Sequence, residues 1–304
     1  MDSAIVELAQ LSEKVKQVLL PDKLKETVLT RLSQLGKLTN SPTFLPEFDR
    51  LRTYIDRIIS LPWNARTQDN LDLENAKRIL DKNHHGLDEI KDRILEYISV
   101  MKLKEEKGEG EDIFRAPILC FVGLVGTGKT TIAASIAEAL GRKFARIPFG
   151  GMGDPLDLRG QSKMHPEAEP GKIIKALADV QSKNPVILLD EIDRVADEGR
   201  SSIMGVLVEL LDPEQNHEFV DHYIDFPVDL SEVLFITTAN NTTHISTAVM
   251  DRIEPIGMPS YSDSEKITIG SDSHTVDGLG KFIPEGIQLL KEIGFKGVYD
   301  YKAG

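Results

Sequence analysis

Residues 123–130 constrain the fold of this chain more than any other segment. They read GLVGTGKT and match the pattern G-x-x-x-x-G-K-[ST]. The apolar run Ile118–Val122 precedes them, and an Ala-rich stretch at 131–140, predicted to be a helix, follows and ends at Gly141. A chance glycine-rich turn would lack this strand–loop–helix context. The segment therefore predicts a phosphate-binding loop, or P-loop, in an α/β protein.

Such a loop wraps backbone N–H groups around phosphates at the positive end of a helix. Backbone contacts are expected from the glycines and the threonines that follow them: Gly123, Gly126, Thr127, Gly128 and Thr131. Lys129 is expected to reach the β- and γ-phosphates of ATP, and Thr130 to bind Mg²⁺.

Three further short apolar runs alternate with helical stretches after the loop, at residues 144–147, 186–189 and 233–238. Runs of this length, bounded by Gly, Pro and Asn, are typical of strands in a parallel sheet that is covered on both faces. The predicted fold class is therefore α/β, with a P-loop and a parallel sheet flanked by helices.

Carboxylates and an amide follow two of these predicted strands. Asp190 and Glu191 come directly after 186–189, at the end of a strand where open α/β sheets bind ligands. Asp190 is expected to hold Mg²⁺ and Glu191 to take a proton from the attacking water. Asn240 can bond the γ-phosphate or simply form a turn, and the residues alone favour the turn. Arg252 is either a surface ion-pair residue or a finger that stabilises transferred charge on a neighbour's ATP.

The chain divides into four predicted segments. Residues 1–60 are predicted as a helical bundle, since no heptad repeat is sustained long enough to favour a coiled assembly arm. Residues 61–112 form a helical entry that ends in a charged linker at 105–112. Residues 113–269 form the nucleotide-binding core, and 270–304 a tail. The apolar stripe of the first helix is predicted to comprise Ile5, Leu8, Leu11, Val15, Val18 and Leu19.

Net charge, apolar runs and cysteine content indicate the cellular location and argue against some classes of partner. The net charge of −13 argues against a general basic surface for nucleic acid. No apolar run approaches the ~20 residues that span a bilayer. A single cysteine, Cys120, cannot form an internal disulfide, which favours a reducing compartment. The expectation is a cytoplasmic protein without membrane or nucleic-acid partners.

Motifs beyond the P-loop resemble those of the Lon-type AAA+ ATP-dependent proteases over residues 38–270. They are LPWN at 61–64, DNLDL at 69–73, HGL at 85–87, PGKI at 170–173, LDEID at 189–193, LDPEQN at 211–216, DHY at 221–223 and MDR at 250–252. The resemblance implies an AAA+ fold, ATP and Mg²⁺ as cofactors, and protein substrates. It implies that Asn240 is the first sensor and that Arg252 acts on the next subunit of a homo-oligomeric, hexameric ring. It also puts His85, Gly86 and Leu87 near the adenine.

The chain also departs from this family. Leu124 and Val125 stand where the family has prolines, and residues 163–167 replace its aromatic pore loop, with His165 at the aromatic position. The N-terminal recognition domain, the helical lid and the Ser–Lys protease domain are expected to be missing. Residues 267–274, ITIGSDSH, and a short predicted helix at 283–293 resemble the last segment of PHP-family phosphoesterases instead. A gene fusion or frameshift explains that junction more simply than a metal site, which needs three or four converging ligands.

Three functions remain open at this point. The favoured one is an ATP-hydrolysing AAA+ module of Lon type without a protease site. The second is a non-hydrolysing, ATP-binding remnant that joins rings with intact relatives. The third is a DNA-associated AAA+ motor, against which the acidic composition argues.

Overall fold

The computed structural model describes residues 2–39, 41–107, 117–165 and 167–259. These described residues belong to one compact unit. The predicted tail at 270–304, its phosphoesterase-like motif and its short helix lie outside the described residues, as do most of the charged linker and Pro166 of the segment at 163–167.

Ten α-helices are present among the described residues, and the predicted helix at 131–140 is one of them, beginning two residues earlier at Lys129. They are α1 (Asp2–Gln17), α2 (Asp22–Gly36), α3 (Phe44–Ile59), α4 (Leu73–Asn83), α5 (Asp88–Glu106), α6 (Lys129–Leu140), α7 (Leu156–Arg159), α8 (Lys172–Val180), α9 (Arg200–Leu210) and α10 (Thr247–Met250). The strands are β1 (Ile118–Val122), β2 (Phe144–Pro148), β3 (Val186–Asp190), β4 (Phe219–Val220), β5 (Pro227–Val228), β6 (Leu234–Ala239) and β7 (Ile253–Gly257). Helix α5 runs two residues into the segment that was predicted as a linker.

The predicted parallel sheet is confirmed. Its five strands lie in the order β2-β3-β6-β1-β7, and every neighbouring pair is parallel. Val122 pairs with Ala239, and Leu189 pairs with Thr237. The carboxyl ends of the three central strands therefore meet at one edge of the sheet, which brings together the P-loop and the polar residues that follow β3 and β6.

Strand β7 and the hairpin of β4 and β5 were not predicted. Strand β7 contains Glu254 and Pro255, which hide its apolar pattern. A proline is compatible with an edge strand because its missing N–H can face away from the ladder, and β7 is the edge strand beside β1.

Alternate residues of the strands face two apolar clusters. Ile187, Leu189 and Phe235 belong to the cluster that includes residues of α1–α3, α8 and α9. Leu188 and Ile236 belong to the cluster formed with α4, α5 and α6. Helices thus cover both faces, as expected for a parallel sheet whose strands are almost continuously apolar.

The N-terminal helices pack onto the nucleotide-binding core. The buried Tyr54 hydroxyl of α3 donates a 2.8 Å hydrogen bond to the carbonyl of Ile224, and the Trp63 ring meets that of Phe226 edge-on at 6.2 Å. The predicted stripe of α1 was wrong at its end. The helix stops at Gln17, and Leu19 is 74% exposed, because the chain turns there to begin α2. Among the described residues, no helix is long and apolar enough to cross a membrane.

Candidate functional site

The P-loop joins β1 to α6 at the carboxyl edge of the sheet. Gly126 and Gly128 have φ angles of 81° and 90°, a region that only glycine adopts without strain. Gly123 is needed for a different reason, since a Cβ there would lie 2.7 Å from the carbonyl oxygen of Met258. The Gly123 N–H donates to Ala239 at the end of β6, so the loop is fixed to the central strand at 3.1 Å.

Lys129 occupies the centre of the loop. Its side chain is buried, and Nζ donates to the carbonyls of Gly123 at 2.6 Å and Leu124 at 2.9 Å. A third bond of 3.1 Å reaches Oδ1 of Asn240. Burial lowers the pKa of Lys129, and the nearby carboxylates, first Glu191 and then Asp190, partly oppose that shift. The ammonium group is thus held by three acceptors, two from the P-loop and one from the residue that follows β6.

The threonines of the loop lie at the start of α6. Thr127 is buried, and its hydroxyl donates to Leu124 at 2.9 Å, which closes the loop on itself. The Thr131 hydroxyl donates to the Gly128 carbonyl at 2.8 Å. Thr130 is half-buried in the first helical turn, next to Lys129.

Asp190 is the last residue of β3 and is 3% exposed. Its Oδ1 accepts a hydrogen bond from the Thr238 hydroxyl, and its Oδ2 accepts one of 2.7 Å from Arg146 Nε. Arg146 Nη2 also lies 2.6 Å from the same oxygen. Both carboxylate oxygens are therefore engaged, which holds the carboxylate in one orientation.

Glu191 has a left-handed backbone, with a φ of 59°. Its N–H donates to the Thr238 hydroxyl at 2.8 Å, and its carboxylate lies 3.3 Å from the Arg194 guanidinium. The two adjacent acids thus have different partners, Thr238 and Arg146 for Asp190 and Arg194 for Glu191. The two carboxylates can therefore serve different roles.

Asn240 follows β6, and its backbone N–H donates to Asp193 at 3.0 Å. Because the Lys129 ammonium group can only donate, the Asn240 atom that faces it is the oxygen. The side-chain nitrogen Nδ2 is then buried without a hydrogen-bond partner among the described residues. A free buried donor beside Lys129 suits an anionic oxygen or a water, since an unsatisfied amide is otherwise costly.

Arg252 is not part of this cluster. It lies just before β7, and its carbonyl accepts from Ile118, the first residue of β1. The P-loop begins after the other end of that strand, about 16 Å away at roughly 3.3 Å per residue. The guanidinium bonds Asp212 at 2.8 Å and the carbonyl of Ala248 at 2.8 Å. Arg252 therefore makes no hydrogen bond to the P-loop among the described residues, and its backbone lies at the opposite end of β1.

The turn at 84–87 lies against the P-loop helix. The buried His84 ring makes a 2.9 Å hydrogen bond with the Ser135 hydroxyl of α6. Gly86 and Leu87 both have left-handed backbones, with φ angles of 64° and 60°. The turn that was assigned to the adenine side therefore packs on the helix that starts at Lys129.

Sequence reasoning missed four residues of the site. They are Arg146, Thr238, Asp193 and Arg194. Arg146 lies in the middle of a predicted strand, and its contact with Asp190 depends on which strands are neighbours. Asp193 was part of the LDEID motif and could have been found from that motif.

The donor set fits a nucleotide with a divalent cation. Backbone N–H groups at the start of α6, the Lys129 ammonium and the free Asn240 amide suit phosphate oxygens. The Thr130 hydroxyl and the Asp190 carboxylate are hard oxygen ligands of the type that Mg²⁺ prefers.

Comparison with known proteins agrees with this geometry. Residues 119–258 match the model of the ATPase family associated with various cellular activities (AAA). Lon protease 2 of Thermus thermophilus is 46% identical over 86% of this chain and 33% of its own length. For Lon protease of Halothermothrix orenii the values are 42%, 86% and 32%, and for Lon protease 1 of Bacillus subtilis they are 44%, 88% and 33%. The chain thus spans about a third of the length of these curated relatives. The resemblance of the tail to PHP-family phosphoesterases finds no support in these comparisons and stays a prediction.

Proposed function

We propose, from the premise that this chain carries an AAA-family ATPase domain and is homologous to Lon proteases, that it binds Mg·ATP at the P-loop and hydrolyses it. One observation carries the proposal. Lys129 contacts Asn240 directly, and both lie at the sheet edge where Asp190 ends β3. ATP hydrolysis requires a loop that holds the phosphates, a cationic side chain such as Lys129, carboxylates and a polar residue that contacts the γ-phosphate, and residues of all four kinds lie at this edge.

Each residue has a proposed role. Lys129 and the loop N–H groups bind the β- and γ-phosphates, and Thr130 and Asp190 hold Mg²⁺. The cation would neutralise the charge that develops on the phosphate oxygens. Glu191 takes the proton from the attacking water, and Asn240 donates its free amide hydrogen to the γ-phosphate or that water. The different partners of the two adjacent acids support this division of roles.

Arg252 is proposed to act on ATP bound to a neighbouring subunit. Its distance from its own P-loop supports a role in trans, and such a role needs a ring of subunits. We further propose a homo-hexameric ring that acts on protein substrates, in line with the relatives named Lon protease. We also propose that the chain is divided into four segments, which are residues 1–60, 61–112, 113–269 and 270–304.

The chain is proposed to hydrolyse ATP without cleaving peptides. No serine of the given sequence sits in a recognisable Ser–Lys setting. A cytoplasmic location is proposed because Cys120, the single cysteine of the chain, is buried as a free thiol.

The test compares wild type with Glu191→Gln in ATP binding and steady-state turnover. The variant keeps the size of the side chain and removes the base, so we expect unchanged ATP affinity and a loss of turnover of about 100-fold or more. Asp154→Asn, a change to an acid of the loop after β2, is the control and should leave both values unchanged. Binding without turnover by the wild type would support the non-hydrolysing alternative. Equal turnover by wild type and Glu191→Gln would contradict the assigned role.

A further inference from the structure

The carboxylate of Asp190 is engaged on both oxygens. The Thr238 hydroxyl, which accepts a hydrogen bond from the Glu191 N–H, must direct its own proton to Asp190 Oδ1. Arg146 donates a hydrogen bond from Nε to Oδ2, and its Nη2 forms an ion pair with the same oxygen. A divalent cation that approaches Asp190 therefore meets a carboxylate that already has a cationic partner.

The two partners of Asp190 differ in how easily they can leave. Thr238 lies in the central strand β6 and is fully buried, so its hydroxyl cannot move away. Arg146 lies on the edge strand β2, and 53% of its side chain is exposed. The exposed guanidinium can return to water, but the buried carboxylate of Asp190 would then lose its cationic partner. Arg146 is therefore expected to leave when another cation takes its place. Thr238 is thus a permanent contact of Asp190, and Arg146 is a releasable one.

Arg146 also affects a cation through its charge. A guanidinium bonded to Oδ2 occupies lone pairs that a metal or its bound water would use, and its positive charge repels Mg²⁺ a few ångströms away. Both effects raise the Mg²⁺ concentration that is needed to load the site.

We propose that Arg146 is a positioning residue that holds Asp190 when the site is free of metal and competes with Mg²⁺ for it, so that Arg146 sets the Mg²⁺ requirement of ATP binding. The proposal rests on the function proposed above, in which Asp190 holds the cation. The side chain of Arg146 is released to solvent when Mg·ATP binds, while Thr238 keeps the carboxylate in place.

The experiment measures binding of a fluorescent ATP analogue to the full chain, first in EDTA and then across a Mg²⁺ titration. We expect Arg146→Gln to lower the half-saturating Mg²⁺ concentration by about threefold to tenfold, because one screened positive charge is removed. Its affinity in EDTA should change less than twofold. Arg146→Lys keeps the charge but replaces the two guanidinium nitrogens that face Oδ2 by a single ammonium group on a flexible stem, so its Mg²⁺ requirement should lie between those of wild type and Arg146→Gln.

Arg52→Gln is the matched control. Arg52 of α3 is similarly exposed, at 55%, but it pairs with Glu7 of α1 and not with a residue of the site. Its Mg²⁺ requirement should stay within twofold of wild type. A Mg²⁺ requirement that is unchanged or higher in both Arg146 variants would overturn the proposal, and so would an equal decrease in Arg52→Gln. If all the proteins bind the analogue and the Arg146 variants need the same Mg²⁺ concentration as wild type, only the role of Arg146 is refuted and the proposed function stands. No binding by wild type, with or without Mg²⁺, would refute the proposed function and this proposal together.

Discussion

Replacement of Gly123 by alanine tests whether the P-loop is held as tightly as the structure indicates. The new Cβ would lie 2.7 Å from the carbonyl oxygen and 2.8 Å from the Cβ of Met258. Neither atom can yield easily, because Met258 follows β7 and its N–H donates to Val122 at 2.6 Å. The φ of Gly123 is not in the left-handed region, so the clash is the only cost.

The expected loss of stability follows from the size of this clash. Forcing an extra methyl group into a closely packed site costs about 1–3 kcal/mol. A domain of about 150–250 residues loses about 2–4 °C in melting temperature per kcal/mol, so the shift should be about 2–12 °C. The carbonyl of Gly123 also accepts from Lys129, and its displacement should weaken ATP binding as well.

The assay is thermal unfolding followed by ATP-binding titration. Gly257→Ala is the control, since Gly257 ends the neighbouring strand β7 and a Cβ there meets nothing within 4 Å. The control should be as stable as wild type or more stable by up to about 1 kcal/mol. If Gly123→Ala melts at the same temperature as Gly257→Ala and binds ATP equally well, the close packing of loop and strand is refuted.

Two further predictions concern contacts outside the P-loop. Tyr54→Phe removes the buried hydroxyl that bonds Ile224, so urea unfolding should show a loss of about 0.5–1.5 kcal/mol, and equal stability would contradict the structural role of that bond. Burial would raise the pKa of Asp212, but hydrogen bonds, first from Arg252, hold it below its usual value. A lowered folded pKa stabilises the protein above the unfolded pKa near 3.8, and that contribution is lost as the pH falls through the folded value. The stability difference between wild type and Asp212→Asn should therefore be constant above about pH 5 and shrink below pH 3.8, and a difference that grows in acid would contradict this assignment.

Short sequence patterns predicted the elements whose structure depends mainly on residues that are close in sequence. The P-loop, β1 and α6 follow from a glycine pattern between an apolar run and an Ala-rich helix, and the helix ends at Gly141 with a φ of 68°. Leu19 shows the limit of such patterns. It continues the apolar spacing of α1, but the chain has already left the helix.

The missed parts of the site depend on long-range contacts. Arg146 and Asp190 are separated by 44 positions, and they meet only because β2 and β3 are neighbours. Asp193 bonds the backbone of Asn240 across 47 positions. A single sequence carries no signal for such pairs until the strand order is known, whereas Lys129 and Asp190 could be predicted from the motifs around them.

ATP binding in the presence and absence of Mg²⁺, by wild type and Lys129→Ala, is the most direct test of the central claim. Lys129 is the one residue that contacts both the loop carbonyls and Asn240 among the described residues, so its loss should affect nucleotide binding first. The account predicts that wild type binds ATP more tightly with Mg²⁺ and that Lys129→Ala, still folded by its melting curve, binds at least about tenfold more weakly. Equal ATP affinity of the two proteins in Mg²⁺ would contradict the claim that this loop is the nucleotide site.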